Sequence, residues 1–226
     1  MFTIGLLQKN IGIDLGTSNF LIYLDKRGIV VNEPTIVAMN TRTGKLLAVG
    51  TDAKKMVGRT PSHVSVIRPL VGGVISDFEM TQEILRHFLR KITAQQSFTR
   101  YRKAVVGVPS DLTEVERKSV EDAVMGAGVF EPYIIDEPLA AALGARLSIE
   151  EPAANMLVDI GGGTTEVAVI SMAGTVTAKS LKIAGDRLTD DIVRFVRDEF
   201  KLAIGEATAE EVKVGIGSAI PLEEKL

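Results

Sequence analysis

The sequence predicts an α/β fold of two related mixed-sheet domains around a cleft, and a repeated hairpin pattern is the main reason. Residues 13–21 read I-D-L-G-T-S-N-F-L and residues 158–167 read V-D-I-G-G-G-T-T-E-V. Each stretch runs from apolar strand residues through an aspartate and a turn of small residues into a second strand. One such pattern alone is most often an ordinary hairpin turn. Asp14 and Asp159 lie 145 residues apart, which leaves room for each hairpin to begin a domain, so the repeat indicates one site divided between two domains.

Composition narrows the class of protein. The chain has 226 residues, of which 46% are hydrophobic and 24% charged, as in ordinary globular proteins. A net charge of −3 argues against nucleic acid as a partner. The absence of cysteine excludes disulfides and thiolate metal sites. No apolar run approaches the roughly 20 residues of a membrane-spanning helix, and the first residues lack the pattern of a signal peptide. We therefore expect a cytosolic protein that neither spans a membrane nor is secreted.

The first quarter of the chain predicts a β-meander, because short apolar runs alternate with turn residues. The predicted strands are residues 11–15, 19–24, 29–31, 35–39 and 46–49. The segment from Met1 to Leu7 is apolar and either packs on the first sheet or touches lipid. Residues 57–74 mix glycine, proline and short apolar pairs without a period, and are predicted to be mostly loop.

Two helices with a strand between them are predicted between residues 84 and 127. An apolar stripe predicts a helix that packs on a sheet; its residues are Ile84, Leu85, Phe88, Leu89 and Ile92. Phe98 stands in the polar segment after it and is either a core residue or a second membrane contact. His63 and His87 have no ligand partners at suitable spacing and are interpreted as structural. Residues 104–108 predict a buried strand, and Val120, Ala123, Val124 and Ala127 predict the inner face of the next helix.

Glu137 is the predicted catalytic residue. It follows the apolar strand at residues 133–135 and precedes Pro138, and proline is favoured in the first turn of a helix. Glu137 is thus expected where a strand passes into a helix, and ligands of open α/β sheets bind at strand ends.

The last third begins after a linker at residues 148–154 and contains the second hairpin, a strand at 175–183 and two helices. The first helix is predicted to turn Leu188, Ile192, Phe195, Val196 and Phe200 inward. In the second, Thr208 is a candidate cap, and Glu210 and Lys213 share one face. This pair is either part of a site or a solvated surface ion pair of little energetic value.

The two hairpins together predict a clamp for a nucleoside triphosphate. A glycine-rich turn brings backbone N–H groups close to an anion because no Cβ intervenes. Asp14 and Asp159 supply hard oxygen ligands suited to Mg²⁺ through water. The sequence has no G-x-x-x-x-G-K-[ST] motif, so the clamp is not a P-loop.

Seven segments, in order, resemble the actin, Hsp70 and sugar-kinase superfamily, and within it the MreB family of bacterial actins, over essentially the whole chain. They are D-L-G-T-S-N, N-E-P-T-I-V, G-V-P-S-D-L-T-E-V-E-R, D-E-P-L-A-A-A-L-G-A, D-I-G-G-G-T-T-E-V-A-V-I-S, I-A-G-D and I-G-E-A-T-A-E-E-V-K. The resemblance implies the actin-like ATPase (ribonuclease H-like) fold. Residues 1–150 would form domain I, with a small subdomain inserted at about 32–77, and residues 151–226 the beginning of domain II. Family chains continue further, so the second domain is expected to be incomplete.

The resemblance also implies a function. Members of the family bind Mg·ATP between two domains, hydrolyse it, and form filaments at the inner face of the cytoplasmic membrane, where they organise cell-wall synthesis in rod-shaped cells. Self-association, cell-wall elongation proteins and a membrane contact through residues 1–7 and Phe98 are therefore expected. Glu137 and Thr164 match the positions that orient the attacking water, Asp14 and Asp159 the metal-side aspartates, and residues 210–213 the segment that contacts ribose. The phosphate motifs match at Gly16, Thr17, Ser18 and Asn19 and at Gly161, Gly162, Gly163 and Thr164.

Two alternatives stay open at this point. The chain could be a non-enzymatic piece that offers only an interaction surface, which the missing adenine-side turn favours. It could also be a chaperone ATPase or sugar kinase of the same superfamily. The neutral Asn19, the lack of an obvious sugar-binding carboxylate and the lack of room for a chaperone substrate domain weigh against that second alternative.

Overall fold

The computed structural model describes residues 8–94 and 100–221. Within these ranges the strands, in chain order, are β1 (Gln8–Leu15), β2 (Asn19–Leu24), β3 (Gly28–Pro34), β4 (Val37–Asn40), β5 (Leu46–Val49), β6 (Val64–Ile67), β7 (Leu70–Val71), β8 (Val74–Ile75), β9 (Arg100–Val108), β10 (Glu131–Asp136), β11 (Asn155–Ile160), β12 (Thr165–Ser171) and β13 (Gly174–Leu181). The helices are α1 (Thr51–Lys54), α2 (Phe78–Ala94), α3 (Glu114–Gly126), α4 (Glu137–Gly144), α5 (Gly185–Phe200) and α6 (Glu206–Ile216). None of the described helices is long and apolar enough to cross a membrane.

A five-stranded mixed sheet in the order β10-β9-β1-β2-β3 forms the centre of the first region. β1, β2 and β3 form the first three strands of the predicted antiparallel meander, whereas the last two predicted strands, β4 and β5, pair in a different sheet. β9 and β10 run parallel to β1. Alternation along β2 places Phe20, Ile22 and Leu24 in the core. There Phe20 stacks on Phe88 of α2 with ring centroids 5.2 Å apart, so the predicted apolar stripe of α2 does cover this sheet.

The small sheet β5-β4-β6 and α1 form a separate layer around Ile36, Ala38 and Ala53. Residues 57–74 lie mostly outside helices and strands, as predicted, but they also contain β6, β7 and the start of β8, which the prediction missed. These strands have two to four residues, too few for a period of two to be recognised.

The second hairpin continues into a three-stranded sheet, β11-β12-β13. Its core consists of Ala142 of α4, Ile149 of the connecting segment, and Ala168 and Ile170 of β12. Helix α4 therefore packs on the second sheet although it follows directly from the first. The domain boundary proposed at residues 148–154 stays a prediction.

The last two helices differ from the prediction in detail. Leu188, Phe195 and Phe200 of α5, predicted to face inward, are 52%, 58% and 62% exposed, because no described element covers that face. Helix α6 begins after an N-cap at Gly205, so the prediction of Thr208 as the cap is wrong.

Candidate nucleotide site between the two hairpins

The turns of the two hairpins touch each other at the centre of the molecule. A Cβ added to Gly162 would overlap Ser18 Oγ, and one added to Gly163 would lie 2.5 Å from Thr17 Oγ1. The Ser18 hydroxyl also donates to Asp186 Oδ1 at the start of α5, over 3.0 Å. Only glycine fits at these two positions of the second turn, because any side chain would push the hairpins apart.

Two cavities flank this contact. The outer cavity has a volume of about 310 Å³ and the inner cavity about 800 Å³. Both are lined by Ser18, Asn19, Gly161 and Gly162, the outer one in addition by Glu210 and Lys213, and the inner one by Asp14, Gly16, Thr17, Glu137, Asp159, Gly163 and Thr164. Every site residue predicted from the sequence therefore lines one of the two cavities, and the role of each stays a prediction.

Glu137 begins α4 directly after β10, at the junction that the sequence predicts. The preceding Asp136 forms an ion pair of 2.7 Å with Arg117 of α3, which ties the end of β10 to α3. Burial raises the pKa of Glu137 to about 8, and the charges of Asp14, Glu166 and Asp159 add to this effect. In the nucleotide-free protein Glu137 is thus largely protonated at neutral pH, and a cation bound among these carboxylates would lower its pKa.

Asp14 and Asp159 occupy equivalent places on the two hairpins. Asp14 is opposite Leu21 in the β1–β2 pair, and Asp159 is opposite Glu166 in the β11–β12 pair. Burial among the cleft walls raises the pKa of Asp14, and the charge of Asp159 raises it further, although Asp14 stays open to the cavity.

These two carboxylates fit a Mg²⁺ ion that keeps water ligands. Among the described residues, no group of three or more histidine, aspartate or glutamate side chains is arranged to hold a metal. Mg²⁺ in nucleotide sites usually takes one or two carboxylates and completes its shell with water and phosphate oxygens. The two aspartates are sufficient for that mode and unsuited to an all-protein cage.

Glu210 and Lys213 are more than a solvated pair. Lys213 Nζ lies 2.6 Å from Glu210 Oε2 and donates to Thr189 Oγ1 and to the carbonyl of Gly185, each over 2.9 Å. The Thr189 hydroxyl donates to Glu210 over 2.6 Å. Burial opposes ionisation of Glu210, but hydrogen bonds from Lys213 and Thr189 outweigh it and keep the pKa below its usual value. The network ties α6 to the start of α5 beside the outer cavity.

Sequence reasoning missed several residues at this site. The Gly73 N–H, in the β7–β8 turn, donates to Thr17 Oγ1 over 2.9 Å, and a Cβ on Gly73 would lie 2.5 Å from Pro109 Cγ and 3.2 Å from Thr164 Cγ2. The positive φ of 77° at Gly73 could have been suspected from the G-G pair at residues 72–73. Arg68 forms an ion pair with Glu206 across the outer cavity, and nothing in the local sequence points to this contact.

Two further predictions concern a membrane contact and the role of His87. Residues 1–7 and Phe98 lie outside those ranges, so the predicted membrane contact remains a prediction. His87 packs edge-on against Phe88 with centroids 5.2 Å apart, a contact that fits a structural role.

Comparisons with known proteins agree with this architecture. The family model described as MreB/Mbl protein matches residues 8–226. The chain is 45% identical over 216 residues to the cell shape-determining protein Mbl of Bacillus subtilis (strain 168), and 46% identical over 224 residues to the cell shape-determining protein MreB of Escherichia coli (strain K12). These alignments cover 96% and 97% of the chain but 65% of each relative. The chain thus spans about two thirds of the length of these relatives, in keeping with an expected incomplete second domain.

Solved structures give the same result for the fold. The crystal structure of MreB5 of Spiroplasma citri bound to ADP matches with a TM-score of 0.89 and 38% identity, covering 96% of this chain and 65% of that one. The MamK double helical filament matches with a TM-score of 0.73 at 23% identity, covering 91% of this chain and 64% of that one, and supports the fold alone. The predicted actin-like fold is confirmed, and the chain belongs to the MreB/Mbl family.

Proposed function

We propose that this chain is the ATP-binding and ATP-hydrolysing part of a cytoskeletal protein whose filaments lie at the inner face of the cytoplasmic membrane. The observation that carries the proposal is the meeting of two glycine-rich turns with Asp14, Asp159 and Glu137 around one cleft. The relative MreB5 binds ADP, and a second structure of it contains AMPPNP. We extend adenine nucleotide binding to this chain on that likeness.

Each group of residues in the cleft has a separate role in the proposed phosphoryl transfer. The turns at residues 16–19 and 161–164 hold the phosphates through backbone groups, because their glycines permit close approach. Asp14 and Asp159 would hold Mg²⁺ through water, and the ion would supply positive charge opposite the phosphate oxygens. Glu137 and Thr164 orient the attacking water, and Glu210 and Lys213 contact the ribose. Positioning and charge neutralisation account for most of the catalysis in this reaction class.

The proposal of filament formation and cell-shape determination rests on the names of the related proteins. The matched proteins of B. subtilis and E. coli are named cell shape-determining proteins, and MamK forms a double helical filament. We extend to this chain self-association into filaments, a location in the cytoplasm at the membrane, and cooperation with cell-wall elongation proteins. Residues 1–7 and Phe98 are the proposed lipid contacts.

Equilibrium binding of a fluorescent ATP analogue with Mg²⁺ tests the proposal. The wild-type chain is expected to bind, and Asp159→Asn to weaken binding by about 10-fold or more, since a metal-side charge is lost. Asp191→Asn is the matched control, because Asp191 lies on the exposed side of α5 and pairs there with Arg187. Equal binding by all three proteins would contradict the assignment of Asp159.

A second candidate function is that of an interaction surface without hydrolysis. It is favoured by the exposed apolar side chains of the second region, among them Met156 at 69% and Ile160 at 67%. A folded wild-type chain that binds no Mg·ATP would favour this candidate and reject the ATPase proposal for the chain on its own.

A further inference from the structure

Glu166 is a buried carboxylate next to the candidate site. Along β12 every second residue is buried, and Glu166 shares the inner face with Ala168 and Ile170. Glu166 is only 1% exposed. The strand pattern would accept an apolar residue there, so the carboxylate is not explained by the core.

Among the described residues, only one of the two carboxylate oxygens of Glu166 has a hydrogen-bond partner. Oε2 accepts hydrogen bonds from the Ser110 hydroxyl over 3.1 Å and, at 3.4 Å, from the Ser110 backbone N–H. Oε1 is buried and no described residue donates to it. A buried carboxylate with an unsatisfied oxygen is costly, and such a group calls for a specific explanation.

The surroundings of Glu166 point to the inner cavity. Glu166, Glu137 and Thr164 all line it. The charge of Glu166 adds to the raised pKa of Glu137, and no hydrogen bond joins the two carboxyl groups within the described part of the chain. Asp14, Glu137, Asp159 and Glu166 give this cavity an acidic part, where water can satisfy otherwise unpaired buried groups.

We propose that Glu166 is a positioning residue for hydrolysis, whose Oε1 accepts a hydrogen bond from a water molecule that bridges to Glu137 and fixes the orientation of its carboxyl group. Ser110, which follows β9 and precedes α3, holds Glu166 from the other side. The contact joins the first sheet to β12 of the second, so the orientation of Glu137 depends on how the two regions meet. This role rests on the proposed ATPase function.

The test compares the wild-type chain with two variants and a control. Glu166→Gln keeps the shape and removes the charge. The Ser110→Ala/Glu166→Met double variant replaces both polar partners by apolar groups. Glu199→Gln, at the exposed end of α5, is the matched control. Mg·ATP affinity, single-turnover hydrolysis and the nucleotide-free melting temperature are measured for each protein.

Glu166→Gln is expected to keep Mg·ATP affinity within about 2-fold and to slow hydrolysis by about 10- to 100-fold, the usual range for a misplaced reacting geometry. The double variant is expected to melt no lower than the wild type, because removing a buried unsatisfied carboxylate with its partner is neutral or stabilising. A purely structural residue would show the opposite, a lower melting temperature with binding and hydrolysis lost together.

The outcomes separate the two proposals. Wild-type hydrolysis by Glu166→Gln would overturn the role of Glu166 and leave the ATPase function standing. A clearly lower melting temperature of the double variant would also overturn it, since Glu166 would then stabilise the fold. A wild-type chain without Mg·ATP binding would overturn the ATPase proposal, and with it the positioning role.

Discussion

The two regions of the molecule begin with the same hairpin but cover it differently. In the first region, β1 and β2 belong to a five-stranded sheet, and α2 and α3 bury a large continuous core against it. In the second, the corresponding strands belong to a three-stranded sheet with a core of four buried residues. A hairpin pattern therefore specifies strands and a turn, whereas stability depends on what packs on their faces.

The second region also leaves more apolar surface exposed than the first. Met156, Val158 and Ile160 alternate along β11 and are 69%, 52% and 67% exposed. On α5 the rings of Phe195 and Phe200 contact each other, with centroids 6.0 Å apart, while both stay exposed. Contiguous apolar surface of this kind usually marks an interaction site or an aggregation-prone patch.

Two phenylalanine truncations should give the largest difference between the regions. Phe88→Ala removes a ring that is 1% exposed and should lower the free energy of unfolding by about 3–5 kcal/mol through lost burial and a cavity. Phe195→Ala removes a ring that is 58% exposed and should change it by less than about 0.5 kcal/mol. Urea denaturation of both variants measures the contrast. A similar loss for both would mean that the α5 face is covered in solution.

The place where the regions meet should make stability depend on pH. The pKa of Glu137 is raised from 4.5 to about 8 in the folded protein, so the folded state binds more protons than the unfolded state between these values. Stability should therefore fall as pH rises from about 5 to 8, by up to a few kcal/mol from this group. Glu137→Gln should remove much of this slope in nucleotide-free protein without Mg²⁺, and Glu199→Gln should leave it unchanged. Parallel stability curves for wild type and Glu137→Gln would contradict the prediction.

Two glycine-to-alanine changes should give the smallest effects, one at the contact between the hairpins and one on an open helix face. In Gly163→Ala the new Cβ would lie 2.5 Å from Thr17 Oγ1 and 2.8 Å from Thr17 Cβ, which should cost about 1–3 kcal/mol and weaken Mg·ATP binding. Gly215 is in α6 with nothing within 4 Å of an added Cβ, so Gly215→Ala should stabilise by up to about 1 kcal/mol. Thermal unfolding and nucleotide binding report both effects. Tolerance of Gly163→Ala would show that the hairpins are free to separate.

Local pattern was sufficient where an element is long or closely bounded. The bounds of β2 and β5 agree with their predicted residues, because turn residues stand directly at their ends. The apolar stripe predicted α2 and its partner sheet. The short strands β6 to β8 were missed, and the face of α5 that was predicted to be buried is exposed. Both a strand of two to four residues and the burial of a helix face depend on neighbours distant in sequence.

The two hairpins, the position of Glu137 between strand and helix, and the family could all be predicted from the sequence. Each of these depends on residues near one another in the chain, whose spacing fixes backbone conformation. Only the tertiary structure brought Glu166 to Ser110 and Ser18 to Asp186, contacts that span 56 and 168 residues. It also decided the raised pKa of Glu137, because burial and the Coulomb interaction depend on distance in space.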